Sequence, residues 1–438
     1  MTTTFPDRTR TVGALLPVVG DDLRVPLVTG GTVPYANLDI AASAPALRSV
    51  AARVAELLPY YSSVHRGAGY ASAVSTAAYE TARRTIAGFV GARPDDVVQV
   101  VRHTTDAFNL LASAVPGEVV VLDLEHHANL LPWRQRRTVA ARATVAATVQ
   151  AVAIELARRP AALLAVTAAS NVTGELLPLA ELAAIAHRHG ARIAVDGAQL
   201  VPHRRVDVAA LDIDYLAFSG HKLYAPYGAG VLIGRPDWLE AAPPYLAGGG
   251  AVRAVTVEHT TWAGVPARHE AGTPNVVGAV ALAAACEALA ALPSTAQARH
   301  EADLRDRLLG GLAALPGVRV LRLWEDAETL GLATFVVAGR PAELVAQYLS
   351  AEHGIGVRDG RFCAHPLLAR LNDGATAVRA SLGIGSSSTD VDRLVLAVEE
   401  LVATGPRWTY DAEHLPVPDP RPLPGWAAVP GAAAACRD

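Results

Sequence analysis

Short apolar runs alternate with segments of helical period along most of the chain. Positions 97–101 predict a strand, 106–115 a helix, 119–124 a strand and 162–168 another. A helix with one apolar face is expected over 179–189, stopped by Gly190, and strands resume over 192–195, 215–218 and 230–233. The strands are apolar throughout rather than at every second position. Alternating with helices, they predict an α/β fold whose mostly parallel sheet is covered on both faces. After position 293 the pattern gives a helix over 296–314, strands over 318–323 and 333–337, and a helix over 341–352. At about 150 residues per domain, 438 residues suggest two or three units. The expected division is a large domain over 35–292 and a smaller α/β domain over 293–404, against which segment 1–34 packs. Residues 405–438 read as a Pro- and Ala-rich tail, extended or disordered.

Composition narrows the class. Hydrophobic residues make up 51% and charged residues 18%, too apolar for a disordered chain. Lys plus Arg number 38 against 42 for Asp plus Glu, a formal charge of −4, so no nucleic-acid partner is expected. The most apolar stretch, 276–285, meets Glu287 just after Cys286, too short for a membrane span, and no membrane association is expected. Asp7, Arg8 and Arg10 precede a brief apolar patch containing Pro17, which makes a poor signal peptide. The three cysteines, Cys286, Cys363 and Cys436, are an odd number in a long chain, so a reducing cytoplasm is the default.

Lys222 is the only lysine in the chain. Arginine stays protonated and cannot act as an amine nucleophile, whereas lysine can lose its proton and form a Schiff base with an aldehyde. Other polar residues stand at the predicted carboxyl ends of the strands, where ligands of such sheets bind. Thr104 and Thr105 follow one strand and open a helix, a place for a phosphate. Glu125, His126 and His127 follow the next, then Asn171, then Asp196 with Gln199, and finally Ser219, His221 and Lys222. A phosphate cradle, an aromatic-sized stacking group, a carboxylate and one lysine suit pyridoxal phosphate, whose ring nitrogen needs the carboxylate. A nucleotide loop of the G-x-x-x-x-G-K-[ST] or G-x-G-x-x-G kind is missing, and so are ligand pairs at zinc spacing; no metal is expected.

Several stretches together resemble the group II cysteine desulfurase and selenocysteine lyase family, of the class V aminotransferase fold. They are Ser63-Val-His-Arg-Gly67, Arg102-His-Thr-Thr105, Glu125-His-His-Ala-Asn-Leu-Leu-Pro-Trp133, Ser170-Asn-Val-Thr-Gly174 and Val195-Asp-Gly-Ala-Gln199. Ser219-Gly-His-Lys-Leu-Tyr224, Glu270-Ala-Gly-Thr-Pro-Asn275, the run 358–366 with Cys363, and Arg379-Ala-Ser-Leu382 complete the set. The resemblance spans about 37–401 and implies fold type I of the pyridoxal-phosphate-dependent transferases. It implies that Lys222 is the Schiff-base lysine, that Asp196 partners the pyridinium nitrogen and that His126 stacks on the ring. Asn171 and Gln199 would lie near the ring hydroxyl. Thr104, Thr105, Ser219 and His221 would hold the phosphate, joined by Thr273 from the other subunit of a homodimer. His65, Arg358 and Arg379 would line the substrate pocket, Arg379 gripping the amino acid carboxylate as a bidentate guanidinium can. Cys363, beside Arg361 and His365, would take sulfur or selenium from L-cysteine or L-selenocysteine as a persulfide, leaving alanine, and pass it to a sulfur-acceptor protein. Gly174 would be a turn residue, and Glu270 a structural partner of the dimer.

The chain departs from the family pattern at Asp359-Gly-Arg-Phe362, at Ala225 and Tyr227, and at His269. The Tyr227 phenol is expected to reach the pocket mouth. A β-lyase, an epimerase or an aminotransferase on the same fold, or a non-catalytic protein that keeps it, remain open alternatives at this point.

Overall fold

The computed structural model describes residues 10–427, so Asp7, Arg8 and Cys436 lie outside the described residues. The central sheet has seven strands, in spatial order Val97–Val101, Gly230–Gly234, Tyr215–Ser219, Arg192–Asp196, Leu163–Thr167, Val119–Leu122 and Arg136–Val139. Gly230–Gly234 runs antiparallel to both neighbours, and the pairs from Tyr215–Ser219 outward to Arg136–Val139 are parallel. The uniformly apolar runs have the predicted consequence: every residue of Leu163–Thr167, Tyr215–Ser219 and Gly230–Gly234 is buried. Helices cover both faces, and each Val or Leu sealed there contributes about 1.5–3 kcal/mol. The expected α/β architecture with a mostly parallel sheet is therefore the observed one.

One edge strand escaped the pattern. Arg136–Val139 alternates exposed and buried residues, and one of its two buried residues, Arg137, is a charge. Arg137 is buried because Glu118 and Glu155 pair with it. Among the described residues, no single helix is long and apolar enough to cross a membrane. The apolar stretch flagged in the sequence is the helix Val276–Ala290, buried on most of its surface.

A second sheet of four antiparallel strands takes the order Val318–Val320, Leu332–Val337, Ala377–Ser381 and Arg358–Gly360. Leu304, Leu308, Phe335, Val345 and Val391 form its core, together with Ala36 and Leu38 from the segment that follows residue 34. That segment is fixed by a short parallel pairing of Ala36–Asn37 with Ile355–Gly356. The pairing carries the chain on to Ala41 and Ala42, beside the carboxyl ends of the large sheet. In the register of the small sheet Arg358 stands opposite Arg379, which sets both guanidinium groups on one face.

The tail is extended but not loose over its described part. Glu352 accepts hydrogen bonds from the Arg407 and Trp408 amides and from the Tyr410 hydroxyl. The Trp408 indole donates to the Pro418 carbonyl at 2.9 Å. Prolines remove donors without preventing such side-chain anchoring, which composition alone does not reveal.

Candidate active site

The carboxyl ends of the central strands open on a cavity of about 260 Å³. Thr104, Thr105, His126, Asn171, Asp196, Gln199, Ser219, His221, Lys222, Arg358, Cys363 and Arg379 all line it. These residues are spread over nearly 280 positions of sequence, and the central strand ends together with the second sheet, which supplies Arg358, Arg379 and the Cys363 loop, bring them together. His103, Phe362, Ala41 and Ala42 also line it and were not anticipated. His103 could have been suspected, since it immediately precedes the threonine pair. The alanines contribute backbone and small methyls, which carry no sequence signal.

One end of the cavity is built for an anion. The helix Thr104–Ala114 starts there, capped by His103, whose Nδ1 accepts the Asp106 amide at 3.1 Å. The Thr104 amide donates to Ser219 Oγ at 2.8 Å, and the two hydroxyls lie 2.7 Å apart. First-turn N–H groups, hydroxyls and the positive end of the helix dipole thus face one spot. Gly230 permits this approach: a Cβ there would sit 2.7 Å from the His103 Cα. His221 is neutral, since burial and then the neighbouring Lys222 charge push its pKa down to about 4.

Deeper in, Asp196 is 4% exposed and receives the Ala198 amide on Oδ1 at 3.0 Å. Burial raises its pKa, while that amide and the Lys222 charge pull it down. Burial, followed by the Arg379 charge, lowers the Lys222 ammonium to about 8, against the opposing pull of Asp196 and Cys363. A lysine near 8 has a usable share of free amine at neutral pH. His126 is held neutral, its pKa lowered to about 3 by burial and then by Lys222. Its Nδ1 accepts the Ala128 amide at 3.0 Å, which leaves the proton on Nε2 and makes His126 the cap of the short turn His127–Leu130. A neutral, fixed imidazole can lie flat against a bound ring.

Arg379 is 2% exposed. Its Nη1 donates to the Asn171 carbonyl at 2.8 Å, and its Nη2 reaches Asp39 at 3.3 Å. Nε is buried and has no hydrogen-bond partner among the described residues. An unpartnered buried N–H on a guanidinium is costly, and a carboxylate entering the cavity would satisfy it. The Phe362 ring covers one face of this group at 5.2 Å. Phe362 and Cys363 both adopt positive φ, 54° and 52°. Such conformations cost about 1–3 kcal/mol each and persist only where surroundings enforce them. Here the Asn171 amide donates to the Phe362 carbonyl at 2.7 Å and the His127 amide to the Cys363 carbonyl at 2.8 Å. The loop holds an exposed thiol at the cavity wall. Cys286, by contrast, is fully buried and its thiol pKa is raised by burial, in keeping with a small core residue.

The Aminotransferase class-V family matches residues 36–394. The chain belongs to the class-V aminotransferase family. A cysteine desulfurase of Dickeya dadantii (strain 3937) is 39% identical over 386 residues, 84% of this chain and 92% of that protein. One of Klebsiella pneumoniae (strain 342) is also 39% identical, over 84% of this chain and 93% of its own. The crystal structure of the Escherichia coli cysteine desulfurase CsdA superposes with a TM-score of 0.74 at 35% identity, covering 84% of this chain and 94% of the other. An apo cysteine desulfurase from Thermococcus onnurineus NA1 gives 0.78 at 30% identity, with the same coverage. The donor set of this class-V family member fits pyridoxal phosphate: an anion site at a helix start, a buried carboxylate, a neutral fixed imidazole and a lysine with a lowered pKa.

Two of the expected site residues are not part of this chain's cavity. His65 bonds Glu80 at 2.8 Å, and Thr273 is exposed on the loop before Val276–Ala290. The Tyr227 phenol does not line the cavity, contrary to expectation; Tyr227 packs beside the large core and its carbonyl accepts from Asn275. His269 is buried between the Tyr245 amide and the Leu239 carbonyl, a structural role. Glu270 finds its partners within the chain: the Tyr79 hydroxyl, the Arg83 guanidinium at 3.0 Å and the Val100 amide. Gly174 is a turn residue at φ 74°, packed against Leu330 and Leu332.

Proposed function

We propose that the chain is a pyridoxal-phosphate-dependent cysteine desulfurase that moves sulfur from L-cysteine to Cys363 and releases alanine. The observation that carries this reading is the shared cavity of Lys222, Asp196, Arg379 and an exposed Cys363. Holoenzyme given L-cysteine and a thiol reductant should release alanine and sulfide in equal amounts. Pyruvate and ammonia instead would point to a β-lyase.

Pyridoxal phosphate, when bound, supplies an aldehyde for amines and a ring that draws electrons from the substrate α-carbon. The Thr104 helix start, Thr105, Ser219 and His221 would hold the phosphate, and Asn171, Gln199 and His126 would take the ring. The Arg379 Nε and Nη2 edge takes the substrate carboxylate, with Arg358 opposite it on the next strand. Lys222, as free amine, removes the α-proton and later returns one. The Cys363 thiolate attacks the substrate sulfur, so the substrate C–S bond breaks as the new S–S bond forms. The substrate carbon gains a proton, which balances L-cysteine plus thiol against alanine plus persulfide.

Asp196 acts through charge, holding a proton on the ring nitrogen. Asp196→Asn is nearly isosteric and should leave folding and much of the cofactor in place. It should lower kcat by about 10²-fold, the order lost with one preorganised charge partner. Steady-state kinetics on cofactor-loaded protein checks this, and unchanged turnover would remove Asp196 from the site.

The active unit is read as a homodimer in which Thr273 completes the phosphate site of the partner subunit and His65 serves the substrate pocket. Both residues are exposed on one chain and absent from its own cavity, which supports the reading. Sedimentation should give a dimer at working concentration, and Thr273→Ala should weaken cofactor retention. A fully active monomer would contradict it. A sulfur-acceptor protein is the expected recipient of the persulfide, and a reducing cytoplasm its setting. The division at 34, 292 and 404 remains the working description of the domains.

A further inference from the structure

Behind His126 lies a pair of buried polar side chains that the reaction does not use. Glu125 and Asn129 are both 0% exposed. The Asn129 Nδ2 donates to Glu125 Oε2 at 2.8 Å. The other atom of each group, Glu125 Oε1 and Asn129 Oδ1, is buried with no hydrogen-bond partner among the described residues. Two orphaned acceptors on one hydrogen-bonded pair are a costly arrangement if Glu125 is ionised. A single proton on Glu125 removes both orphans: the acid O–H donates to the amide oxygen while the amide N–H donates to the acid carbonyl.

We propose that Glu125 is held as a neutral carboxylic acid, joined to Asn129 in a two-hydrogen-bond acid–amide lock that positions the His127–Leu130 turn. This turn carries two parts of the site. His126 is its cap, and the His127 amide holds the Cys363 carbonyl. The lock therefore fixes both the stacking imidazole and the base of the thiol loop. A neutral Glu125 also leaves Asp196 as the anion that faces the ring.

The surroundings agree with the neutral state. Burial, and then the Asp196 charge, raise the Glu125 pKa to about 8. Asn129 and the backbone of Thr167 and Leu122 pull the other way. Asn129 comes from the turn, Thr167 and Leu122 from two neighbouring strands, and Asp196 from a third; Asp196 is the charged side chain acting on it, and it is an anion. The inference relies on the proposed reaction only for the roles of His126, Asp196 and Cys363. The protonation state can be tested without turnover.

Glu125→Gln is the decisive variant, because glutamine reproduces the neutral acid with a permanent N–H in place of the O–H. It should keep bound cofactor and kcat within about twofold of the parent. Asn129→Leu, which removes the partner, should lose tenfold or more in kcat and shed cofactor. Infrared difference spectra of the parent against Glu125→Gln at neutral pH should show the carbonyl band of a protonated carboxylic acid. The pH dependence has a definite sign. The Glu125 pKa is higher in the folded than in the unfolded chain, so its contribution is complete below the unfolded value and is lost as pH rises toward 8. The parent should therefore lose several degrees of Tm relative to Glu125→Gln between about pH 5 and pH 8, and then track it. A Glu125→Gln protein that sheds cofactor as Asn129→Leu does, parallel Tm profiles, or a missing acid band would each overturn the proposal. Loss of desulfurase activity in the parent itself, with the acid band and Tm divergence intact, would instead contradict only the proposed reaction.

Discussion

Lys222→Ala is expected to abolish turnover, by more than about 10³-fold, and to leave cofactor bound only non-covalently. The size of the effect follows from two features of this chain. Lys222 combines the amine that tethers the cofactor with the base that moves the α-proton, and proton transfer alone is worth about 10²–10⁴-fold. There is also no other lysine to substitute for it. Lys222→Arg should be equally inactive despite keeping the charge, since guanidinium neither attacks an aldehyde nor accepts a proton near neutral pH. Borohydride treatment followed by peptide mapping reads the result directly: the parent should carry reduced cofactor on the peptide containing Lys222, and neither variant should carry it on any side chain.

Cys363→Ala is expected to separate binding from sulfur transfer. The variant keeps Arg379 with its open Nε edge, the anion site and Lys222, so L-cysteine should still perturb the cofactor spectrum with a Kd close to the parent's. Sulfur release should fall by 10²-fold or more, because cleavage needs a thiolate at the substrate sulfur. L-selenocysteine should be affected less, selenium being the better leaving group. A small side chain at this position also relaxes nothing in the loop, whose carbonyls remain tied to His127 and Asn171. Loss of activity would therefore report chemistry rather than a collapsed loop.

The large sheet was legible because its strands are buried on both faces and read as unbroken apolar runs. Val97–Val101 falls on its predicted positions, and the other central strands differ by a few end residues. Arg136–Val139 was not legible, since a buried Arg137 pairing with two carboxylates looks like surface in a one-dimensional pattern. The antiparallel direction of Gly230–Gly234 is likewise not encoded in its apolar composition. In the site, polar residues at strand ends were readable because nothing else explains a run of them there. Phe362 was noticed only as a departure from the family pattern; its place over Arg379 depends on two left-handed residues that sequence does not announce. Tyr227 shows the opposite error, a chemically attractive side chain near Lys222 in sequence that packs away from the cavity. The Glu125–Asn129 pair, four residues apart across the start of one short turn, becomes visible only once the burial of both groups is known.

The destination of the substrate sulfur separates desulfuration through Cys363 from its alternatives. Holoenzyme mixed with L-cysteine and no reductant, then digested and measured by mass spectrometry, should show the mass of one added sulfur atom on the peptide containing Cys363 and one alanine released per site. The same treatment should leave the peptide containing Cys286 unmodified, as its burial requires. An unmodified Cys363 peptide in an enzyme that consumes L-cysteine would contradict the proposed reaction and assign Cys363 a structural role.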